Sequence, residues 1–540
     1  MARVLVTEPI DESGLAILRA AHEVVLHPGC SAETLLTLIP DFEALIVRSA
    51  TQVTADVLRA GRRLLVVGRA GVGVNNIDVE TATARGIVVV NVPDGNTVAA
   101  TEQTFALMLA LARRLPDAVA SLRAGRWERE AFVGTELRGK TIGIVGLGRI
   151  GQEVARRAHA FGMSVCGYDP LLSAERAEEM GIRFLSLRDV LTTCDVLTVH
   201  VPLIEATRGL IGRAELALMK PSAFVLNCAR GGIIDEAALH DALLAGRIAG
   251  AGLDVFTHEP ASDNPLIGLP GVVATPHLGA STREAQSVSA ELVAEYVRAV
   301  LAGEPVATAV NLPSLSPRDW EVVKGLVPLG ELLGRLYMQG LGGRLGHVEI
   351  LSAPLPGRGG EWVTAAALKG FLAEAVDDMV NLVNAQHLAS EHGVKVVFSQ
   401  SREVEEHSLT LRVQAGGVQR IVAGQALADG SLRVTNLDGL PIEMAPMRHM
   451  LVTRHQDRPG LIGAVGTLLG EAGVNIAAML VGRRAVRGDA VMVLAVDDPI
   501  SAAALERLRT VPGMAHVRGV TLPESLCGPA VTAREDPPAP

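Results

Sequence analysis

The first hundred residues alternate short apolar runs with amphipathic segments. The apolar runs are RVLVT (3–7), HEVVLH (22–27), ALIVRSA (44–50), LLVVGRAG (64–71) and IVVVNVP (87–93). The segments between them, such as DESGLAILRAA (11–21) and VTADVLRA (53–60), have the spacing of amphipathic helices. Buried parallel strands are uniformly apolar because helices cover both faces of their sheet. The pattern therefore predicts an α/β domain with a doubly wound parallel sheet.

The same alternation returns after a long apolar helix, TVAATEQTFALMLALARR (97–114). The strands that follow are predicted in KTIGIVGLGRIG (140–151), MSVCGYDP (163–170), CDVLTVHVPL (194–203), AFVLNCAR (223–230), IAGAGLDVF (248–256) and GVVATPHLG (271–279). A second long helix, STREAQSVSAELVAEYVRAVLAG (281–303), returns the chain to the first sheet. We therefore predict two doubly wound, Rossmann-like domains with a cleft between them. The first comprises residues 1–96 and 284–312, and the second residues 97–283.

The pattern changes at about Ser316. Residues 318–447 mix helical segments with alternating, hairpin-like strands such as SLTLRVQAGGVQRIVAG (408–424). From His449 onward the order is βαββαβ, which is typical of a ferredoxin-like fold. We predict an α+β domain over 313–447, a ferredoxin-like domain over 448–525 and a disordered tail over 526–540.

Composition narrows the class of protein. The 540 residues are 49% hydrophobic and 20% charged, and the net charge of −10 leaves no basic surplus for nucleic-acid phosphates. We find no uninterrupted apolar run of about 18 residues, as a membrane span would need, and no signal peptide. The five cysteines are scattered and form no CxxC pair. We therefore expect a cytoplasmic protein with no nucleic-acid or membrane partner, no metal site and no disulfide framework.

A glycine-rich turn directly follows the strand TIGIV. The sequence GLGRIG places Gly146, Gly148 and Gly151 in a G-x-G-x-x-G pattern that begins a helix. Such glycines permit a tight turn, and the helix N-terminus offers free N–H groups to a pyrophosphate. Asp169 ends the next strand, where a carboxylate can bind ribose hydroxyls and disfavours a 2′-phosphate. The pattern predicts a dinucleotide site that prefers NAD to NADP.

Three polar residues are predicted at the carboxyl ends of strands in this same sheet. Arg230 follows AFVLN, Glu259 follows GAGLD, and His277 follows GVVAT. Ligands of open α/β sheets bind at this edge. A lone core histidine or a glutamate in a turn needs no ligand, but together beside a dinucleotide fold the three form an acid/base set.

The chemistry of these three side chains fits the oxidation of an alcohol. NAD-dependent oxidation of a secondary alcohol requires a base that takes the hydroxyl proton as hydride leaves. The imidazole of His277 suits this role, and the carboxylate of Glu259 can orient the ring and stabilise its charged form. A guanidinium binds a carboxylate in a bidentate manner. We therefore expect Arg230 to hold a 2-hydroxy acid.

Other candidates are weaker. His258 adjoins Glu259 but points in the opposite direction if the segment is extended, and His200 lies at another strand end as a less favoured base. Cys228 has no basic partner nearby in sequence, so we interpret it as a packing residue or a backbone contact. Arg156 and Arg157 lie within the helix after the glycine turn and are expected to face solvent.

Several segments resemble a known family. GLGRIG, NCARGGIIDEAAL, AGLDVFTHEP and TPHLGAST resemble the D-isomer-specific 2-hydroxyacid dehydrogenases, and VRSATQVT, GRAGVGVNNIDV and NVPDGNT resemble the members that act on D-3-phosphoglycerate. The likeness extends over essentially residues 1–525. It implies that the first domain binds substrate and the second binds NAD. It also implies that Arg230 orients the substrate, that His277 is the acid/base and that Glu259 is its partner.

The resemblance further implies a set of NAD contacts. Val72 and Val201 occupy positions that often carry a hydroxyl in this family, so only their backbone contacts are expected. The full set of expected NAD contacts is Val72, Gly146, Gly148, Arg149, Ile150, Gly151, Asp169, Val201, Cys228, Ala229, Arg230, Asp254, His277, Gly279 and Ala280.

A phosphorylated three-carbon acid needs two anion sites. Arg230 supplies one. Arg48, Ser49 and Arg69 end strands of the first sheet and can supply the other, with Asn96 at the crossing between the domains; ordinary solvent exposure is the alternative. The expected substrate contacts are Arg48, Ser49, Arg69, Gly73, Asn96, Arg230 and His277.

The C-terminal unit, RHQDRPGLIGAVGTLLGEAGVNIAAM, resembles an ACT domain, a small-molecule sensor. In this family such domains bind L-serine at a subunit interface, and the matching positions are His455, Asp457 and Asn475. A purely structural role of the domain is the alternative. Residues 318–447 resemble the intervening domain of the longer family members. The resemblance also places GRWEREAF (125–132) near a subunit contact and implies a homo-oligomer, either a dimer or a homotetramer.

Two other functions remain open from the sequence. One is a glyoxylate or hydroxypyruvate reductase on the same scaffold, although such enzymes usually lack the two added domains. The other is a non-catalytic, NAD-sensing interaction protein. Such a reductase would also not need Arg48 and Arg69 as a phosphate site. Against the interaction protein, a complete arginine, glutamate and histidine set and the ACT-like unit favour a regulated enzyme.

Overall fold

The computed structural model describes residues 1–304, 306, 308–343, 345–376 and 379–527. The described residues form four β-sheets. Two are wholly parallel, one is mixed and one is antiparallel, which confirms the predicted fold class of two Rossmann-like domains with an α+β domain and a ferredoxin-like domain. The domain limits themselves stay predictions. The disordered tail predicted over 526–540 lies, from residue 528 onward, outside the described residues.

The first sheet has five parallel strands in the order β2-β1-β3-β4-β5. Its elements are β1 (Arg3–Val6), α1 (Glu12–Arg19), β2 (Glu23–Leu26), α2 (Ala32–Leu38), β3 (Ala44–Val47), α3 (Ala55–Ala60), β4 (Val66–Arg69), α4 (Val79–Ala84) and β5 (Val88–Val90). β3 is buried along its whole length, as its uninterrupted apolar sequence predicts.

The second sheet has seven parallel strands in the order β12-β11-β10-β9-β6-β7-β8. Its elements are α5 (Thr97–Ala112), α6 (Leu115–Arg123), β6 (Thr141–Val145), α7 (Arg149–Ala160), β7 (Ser164–Tyr168), α8 (Ala174–Glu179), β8 (Arg183–Phe184), α9 (Leu187–Thr193), β9 (Val196–Val199), α10 (Arg213–Leu216), β10 (Phe224–Asn227), α11 (Glu236–Leu244), β11 (Gly250–Leu253) and β12 (Val272–Ala274).

Two long helices connect the two sheets, as predicted. α5 leaves the first sheet and packs against β10 and β11 of the second. α12 (Arg283–Leu301) returns and packs against α1 and β4. This packing is close: a Cβ on Gly68 of β4 would come within 2.8 Å of side-chain carbons of both Val293 and Val297. Glycine is therefore required there for α12 to cover the first sheet.

The third sheet is mixed and has six strands in the order β14-β13-β15-β16-β17-β18. Its elements are α13 (Pro317–Val323), α14 (Leu326–Arg335), β13 (His347–Ser352), α15 (Gly359–Leu372), α16 (Ala385–Glu391), β14 (Lys395–Gln400), β15 (Ser408–Ala415), β16 (Val418–Ala426), β17 (Leu432–Leu437) and β18 (Leu440–Met444). A π-helix, Leu336–Leu341, continues α14.

The fourth sheet is antiparallel, with the order β20-β21-β19-β22. Its elements are β19 (His449–Gln456), α17 (Leu461–Glu471), β20 (Ile476–Arg483), β21 (Asp489–Val496), α18 (Ala502–Arg509) and β22 (Met514–Thr521). The chain order βαββαβ is the one that the sequence predicts. Across the described residues, no helix combines the length and the apolar character that crossing a membrane requires.

Candidate active site

The glycine turn lies between β6 and α7, and its three glycines are constrained in different ways. Gly146 has a φ of +95°, and a Cβ there would come within 2.7 Å of the His200 carbonyl group. A Cβ on Gly151 would come within 2.1 Å of the Gly146 oxygen. A Cβ on Gly148, in contrast, would have no described atom within 4 Å. The turn is thus packed at both ends and open in the middle, which fits a pyrophosphate at the start of α7.

Asp169 follows β7 and lies beside this turn. Its carboxylate accepts hydrogen bonds from the backbone N–H groups of Leu147 and Leu171, each at 2.8 Å. These two bonds fix the carboxylate at the edge of the glycine turn and leave acceptor capacity for hydroxyl donors. The turn and this acid together fit the pyrophosphate and ribose of NAD.

Arg149, the first residue of α7, forms an ion pair across the cleft. Its Nε lies 2.6 Å from Oδ1 of Asp94, and both side chains are more than half exposed. Asp94 belongs to the segment that ends the first predicted domain. We did not predict this pair, because no local sequence pattern indicates a contact between two surface residues of different domains.

His277 and Glu259 are in direct contact. Nδ1 of the imidazole lies 2.8 Å from Oε2 of the carboxylate, and Oε1 accepts a hydrogen bond from the Phe256 N–H at 3.0 Å. The side chain of His277 is 48% exposed, so the ring is open to solvent while Nδ1 is paired. The geometry is that of a base whose ring orientation is set by a fixed carboxylate.

Two further carboxylates hold the loops that carry this pair. Asp254, fully buried, accepts hydrogen bonds from the N–H groups of Leu278 and Gly279, each at 2.7 Å. Glu236, at the start of α11, accepts hydrogen bonds from Thr257, from both its N–H and its hydroxyl at 2.6 Å. The loops that carry His277 and Glu259 are therefore anchored by side chains.

Gln103 is a further residue that sequence reasoning missed. Its amide Nε2 donates to the Thr275 hydroxyl at 2.9 Å, and that hydroxyl donates to Asp254 at 2.6 Å. The sequence signal is a polar residue in the predicted helix 97–114, where Glu102 and Thr104 beside it are polar as well. This signal is weak, because polar residues on a helix are usually exposed.

Three guanidinium groups converge where the rims of the two parallel sheets meet. Arg230 donates to the Ala229 carbonyl at 2.7 Å, and burial lowers its pKa. A Cβ on Gly73 of the first domain would come within 2.7 Å of Nη2 of Arg230. Burial, together with repulsion from Arg230 and Arg48, lowers the pKa of Arg69 to about 10. A concentration of positive charge in a cleft favours binding of an anion.

Buried polar atoms at the same place have no partner among the described residues. They are Nε of Arg69 and Oδ1 of Asn96. Buried polar groups in folded proteins are nearly always hydrogen-bonded, so orphaned ones at a cleft indicate a ligand. A cavity of about 360 Å³ borders this place, and its lining includes Arg48, Gly71 and Asn96 together with the acidic residues Asp11 and Glu12. Ser49, also predicted for this site, is exposed.

The competing nucleophile and base have the properties of packing residues. Burial raises the pKa of the Cys228 thiol to about 12, so it is protonated at neutral pH. Burial lowers the pKa of His200 to about 4, and its Nε2 lies 2.9 Å from the Thr198 hydroxyl. Arg156 is exposed as expected, whereas Arg157 is only 22% exposed and pairs with Glu153 of the same helix.

The three effector candidates have separate partners within this chain. His455 is buried, and burial lowers its pKa. Asp457 pairs with Arg483, and the Asn475 amide donates to Asp497 at 2.7 Å.

Three family models match the chain, each over a different part. The model described as "D-isomer specific 2-hydroxyacid dehydrogenase, NAD binding domain" matches residues 105–279. The model described as "D-3-phosphoglycerate dehydrogenase intervening domain" matches residues 322–438, and the ACT domain model matches residues 449–513.

Solved structures share the fold of the first two domains. A D-lactate dehydrogenase from Aquifex aeolicus complexed with NAD and lactic acid is 27% identical, with a TM-score of 0.51, over 56% of this chain and 96% of that one. A glyoxylate reductase from Paecilomyes thermophila is 31% identical, with a TM-score of 0.53, over 57% of this chain and 98% of that one.

Curated relatives match nearly the whole chain. The D-3-phosphoglycerate dehydrogenase of Synechocystis is 44% identical over 97% of this chain and 95% of its own length. That of Archaeoglobus fulgidus is 43% identical over 96% of this chain and 100% of its own length. With the dinucleotide turn and the Glu259–His277 pair in place, the chain therefore belongs to the D-3-phosphoglycerate dehydrogenases within the D-isomer-specific 2-hydroxyacid dehydrogenase family and is an NAD-dependent oxidoreductase.

Proposed function

We propose that this chain oxidises D-3-phosphoglycerate to 3-phosphohydroxypyruvate with NAD, the first step of L-serine biosynthesis. The observation that carries the proposal is the meeting of Arg48, Arg69 and Arg230 beside the Glu259–His277 pair. A substrate with an anion at each end and a hydroxyl between them is complementary to this arrangement. Lactate and glyoxylate have only one anionic end and would leave part of the cationic cluster unused.

Arg230 is proposed to bind the carboxylate of the substrate. Its guanidinium is largely buried, and its side chain is oriented by the bond to the Ala229 carbonyl. A buried guanidinium gains most from a bidentate partner, because each N–H that stays unpaired there is costly. Docking the carboxylate here places the neighbouring carbon, which carries the hydroxyl, close to His277.

His277 is proposed to take the hydroxyl proton at Nε2. Glu259 holds the ring through Nδ1, so the tautomer with the free electron pair on Nε2 is favoured. As the proton arrives, the carboxylate stabilises the imidazolium that forms. Bound NAD supplies the hydride acceptor for this oxidation.

Arg48 and Arg69 are proposed to bind the phosphate, with Ser49, Gly73 and Asn96 around them. The unpartnered Nε of Arg69 supports this assignment, because a phosphate oxygen satisfies it. Contacts to the dinucleotide are proposed for the residues predicted above. Arg149 is paired with Asp94, so its side chain must leave Asp94 before it contacts the cofactor.

The predictions about the effector, the oligomeric state and the cellular location are proposals as well. We propose that the ACT domain binds L-serine through His455, Asp457 and Asn475 at a contact between subunits, which requires a homo-oligomer. A cytoplasmic location fits an enzyme of central metabolism that uses NAD.

A single assay tests the proposed reaction. NADH formation is followed with D-3-phosphoglycerate and with unphosphorylated D-glycerate, and NADH consumption with glyoxylate and hydroxypyruvate, each with and without L-serine. We expect the phosphorylated acid to give a far higher kcat/KM than the others. An equal or higher kcat/KM for an unphosphorylated acid would refute the proposal, and no turnover with any of them would favour a binding protein. An unchanged rate in L-serine would refute only the effector site.

A further inference from the structure

The loop that carries Arg48 is held by a side chain from another strand end. We define the Arg48 loop as residues 48–51, directly after β3. Oε1 of Glu8 accepts hydrogen bonds from the N–H groups of Arg48 and Thr51, each at 2.9 Å, and Oε2 accepts one from Ala50 at 3.1 Å. Three of the four backbone N–H groups of the loop therefore point at one carboxylate.

A second side chain holds the same loop from the opposite direction. The amide of Asn76 donates to the carbonyl oxygens of Arg48, at 2.9 Å, and Thr51, at 2.7 Å. The hydroxyls of Thr7 and Thr51 also lie 2.9 Å apart. The loop thus has both its donors and its acceptors fixed by side chains from outside, so the direction in which Arg48 leaves the backbone is set by these contacts.

Glu8 also carries a charge that the cationic cluster needs. Burial raises the pKa of its carboxyl, but hydrogen bonds from Thr51, Ala50 and Arg48 outweigh burial and lower it, so the group is ionised at neutral pH. Its negative charge favours the charged form of Arg69, against the repulsion from the neighbouring guanidiniums. One anion therefore orients one arginine of the proposed phosphate site and offsets the repulsion on another.

We propose that Glu8, supported by Asn76, is a positioning residue that sets the preference for a phosphorylated substrate. The inference rests on the proposed phosphate site at Arg48 and Arg69. Glu8 itself does not touch the substrate, because its acceptor atoms face the backbone of the Arg48 loop. It acts by holding the loop and its charge in place before the phosphate arrives, so that binding costs little rearrangement.

A purely structural role makes a different prediction from a positioning role. If Glu8 only stabilises the first domain, its loss affects phosphorylated and unphosphorylated substrates alike, through less folded enzyme. If Glu8 positions the phosphate site, its removal lowers kcat/KM for the phosphorylated substrate more than for the unphosphorylated one. The readout is therefore the ratio of kcat/KM for D-3-phosphoglycerate to kcat/KM for D-glycerate, together with the split between KM and kcat.

The test uses Glu8→Gln in the full-length chain. The substitution keeps the shape of the side chain and removes its charge. It also replaces one acceptor oxygen with an NH2 donor, which cannot accept from the backbone N–H groups of the Arg48 loop. We expect the ratio to fall by about tenfold or more, mainly through a higher KM for D-3-phosphoglycerate, as for the loss of a charged hydrogen-bond partner. Turnover of D-glycerate should change less than about twofold by the same reasoning. An unchanged ratio would overturn the proposal.

A matched control is Glu43→Gln. Glu43 is also a largely buried carboxylate of the first sheet that accepts a backbone hydrogen bond, from Arg3 at 2.7 Å, and it pairs with Arg63. It lies before β3, at the opposite edge of the sheet from the cleft. The control should leave the ratio unchanged even if it lowers the melting temperature. A fall in the ratio equal to that in Glu8→Gln would overturn the positioning role.

Two more variants keep the test decisive. In an Arg48→Ala background, Glu8→Gln should reduce the ratio by much less than in the parent, because the side chain that Glu8 positions is gone. Fully additive effects of the two substitutions would contradict the proposal.

If Glu8→Gln does not fold, Asn76→Ala must show the same selective loss of kcat/KM for D-3-phosphoglycerate. An equal loss of kcat/KM for both substrates overturns the inference. A parent enzyme that shows no preference for D-3-phosphoglycerate would instead refute the proposed function.

Discussion

The rims of the two parallel sheets face the same cleft but carry different chemistry. The rim of the first sheet contributes the guanidinium groups of Arg48 and Arg69 and the carboxylate of Glu8, which holds the Arg48 loop. The rim of the second sheet contributes Glu259 and His277, a pair suited to transfer of a proton. Arg230 extends from the second rim to Gly73 of the first, where a Cβ would meet its guanidinium. The difference indicates separate roles for the two sheets. The first binds the phosphate and selects the substrate, and the second carries the groups that transfer the proton.

The largest effect should come from the second rim. His277→Ala removes the group that takes the hydroxyl proton, so we expect kcat to fall by about 10²–10⁴-fold. Affinity for NAD, measured by fluorescence titration, should change little, because the glycine turn and Asp169 are untouched. Near-normal turnover in this variant would contradict the assignment of the base.

A smaller but still large effect should come from the arginine between the rims. Arg230→Lys keeps the charge but loses the planar, bidentate geometry, so kcat/KM should fall by about 100-fold. The fall should be similar for D-3-phosphoglycerate and D-glycerate, since both carry the carboxylate. A loss confined to the phosphorylated substrate would show that Arg230 binds the phosphate instead of the carboxylate.

A modest effect should come from the glycine that Arg230 approaches. Gly73→Ala places a Cβ at 2.7 Å from Nη2 of Arg230, so the guanidinium must move by several tenths of an ångström. We expect kcat/KM to fall by about tenfold on both substrates. Gly139→Ala is an informative contrast, because no described atom lies within 4 Å of its Cβ position although its φ is +75°. Its effect should fall on stability rather than on turnover.

The last prediction concerns stability instead of turnover, at His200, the second histidine of the second rim. Its folded-state pKa of about 4 is below the ordinary value, so its stabilising contribution is present above about pH 6.5 and is lost as the pH falls toward 4. The loss at pH 5 is about 2 kcal/mol. Calorimetry should show a melting temperature that falls between pH 7 and pH 5, with a flatter slope in His200→Gln. The same slope in both would show that His200 is not buried as a neutral group.

Simple geometry explains which residues of the two rims could be predicted from the sequence. Arg230 and His277 were predictable because parallel strands end at one edge, so any polar residue just after such a strand reaches the same cleft. The glycine turn was predictable because Gly146 and Gly151, at either end of its spacing, meet backbone requirements that only glycine meets. The order of strands in the ferredoxin-like unit was predictable from the hydrophobic pattern of its elements.

Other contacts were not predictable for an equally physical reason. Glu8 follows the first strand in a segment with no motif, and its partners lie 40 to 43 positions away in sequence. Asp94 meets Arg149 only because two domains fold around one cleft. Such contacts depend on tertiary geometry, and a charged residue in a loop looks the same in sequence whether it faces solvent or another loop.

The most direct test of the division between the two rims is a crystal structure of the ternary complex with NAD and D-3-phosphoglycerate. We expect the phosphate within hydrogen-bond distance, about 3 Å, of Arg48 or Arg69, the carboxylate on Arg230, and the substrate hydroxyl at Nε2 of His277. A phosphate bound on the second rim, or an imidazole turned away from the hydroxyl, would contradict the account.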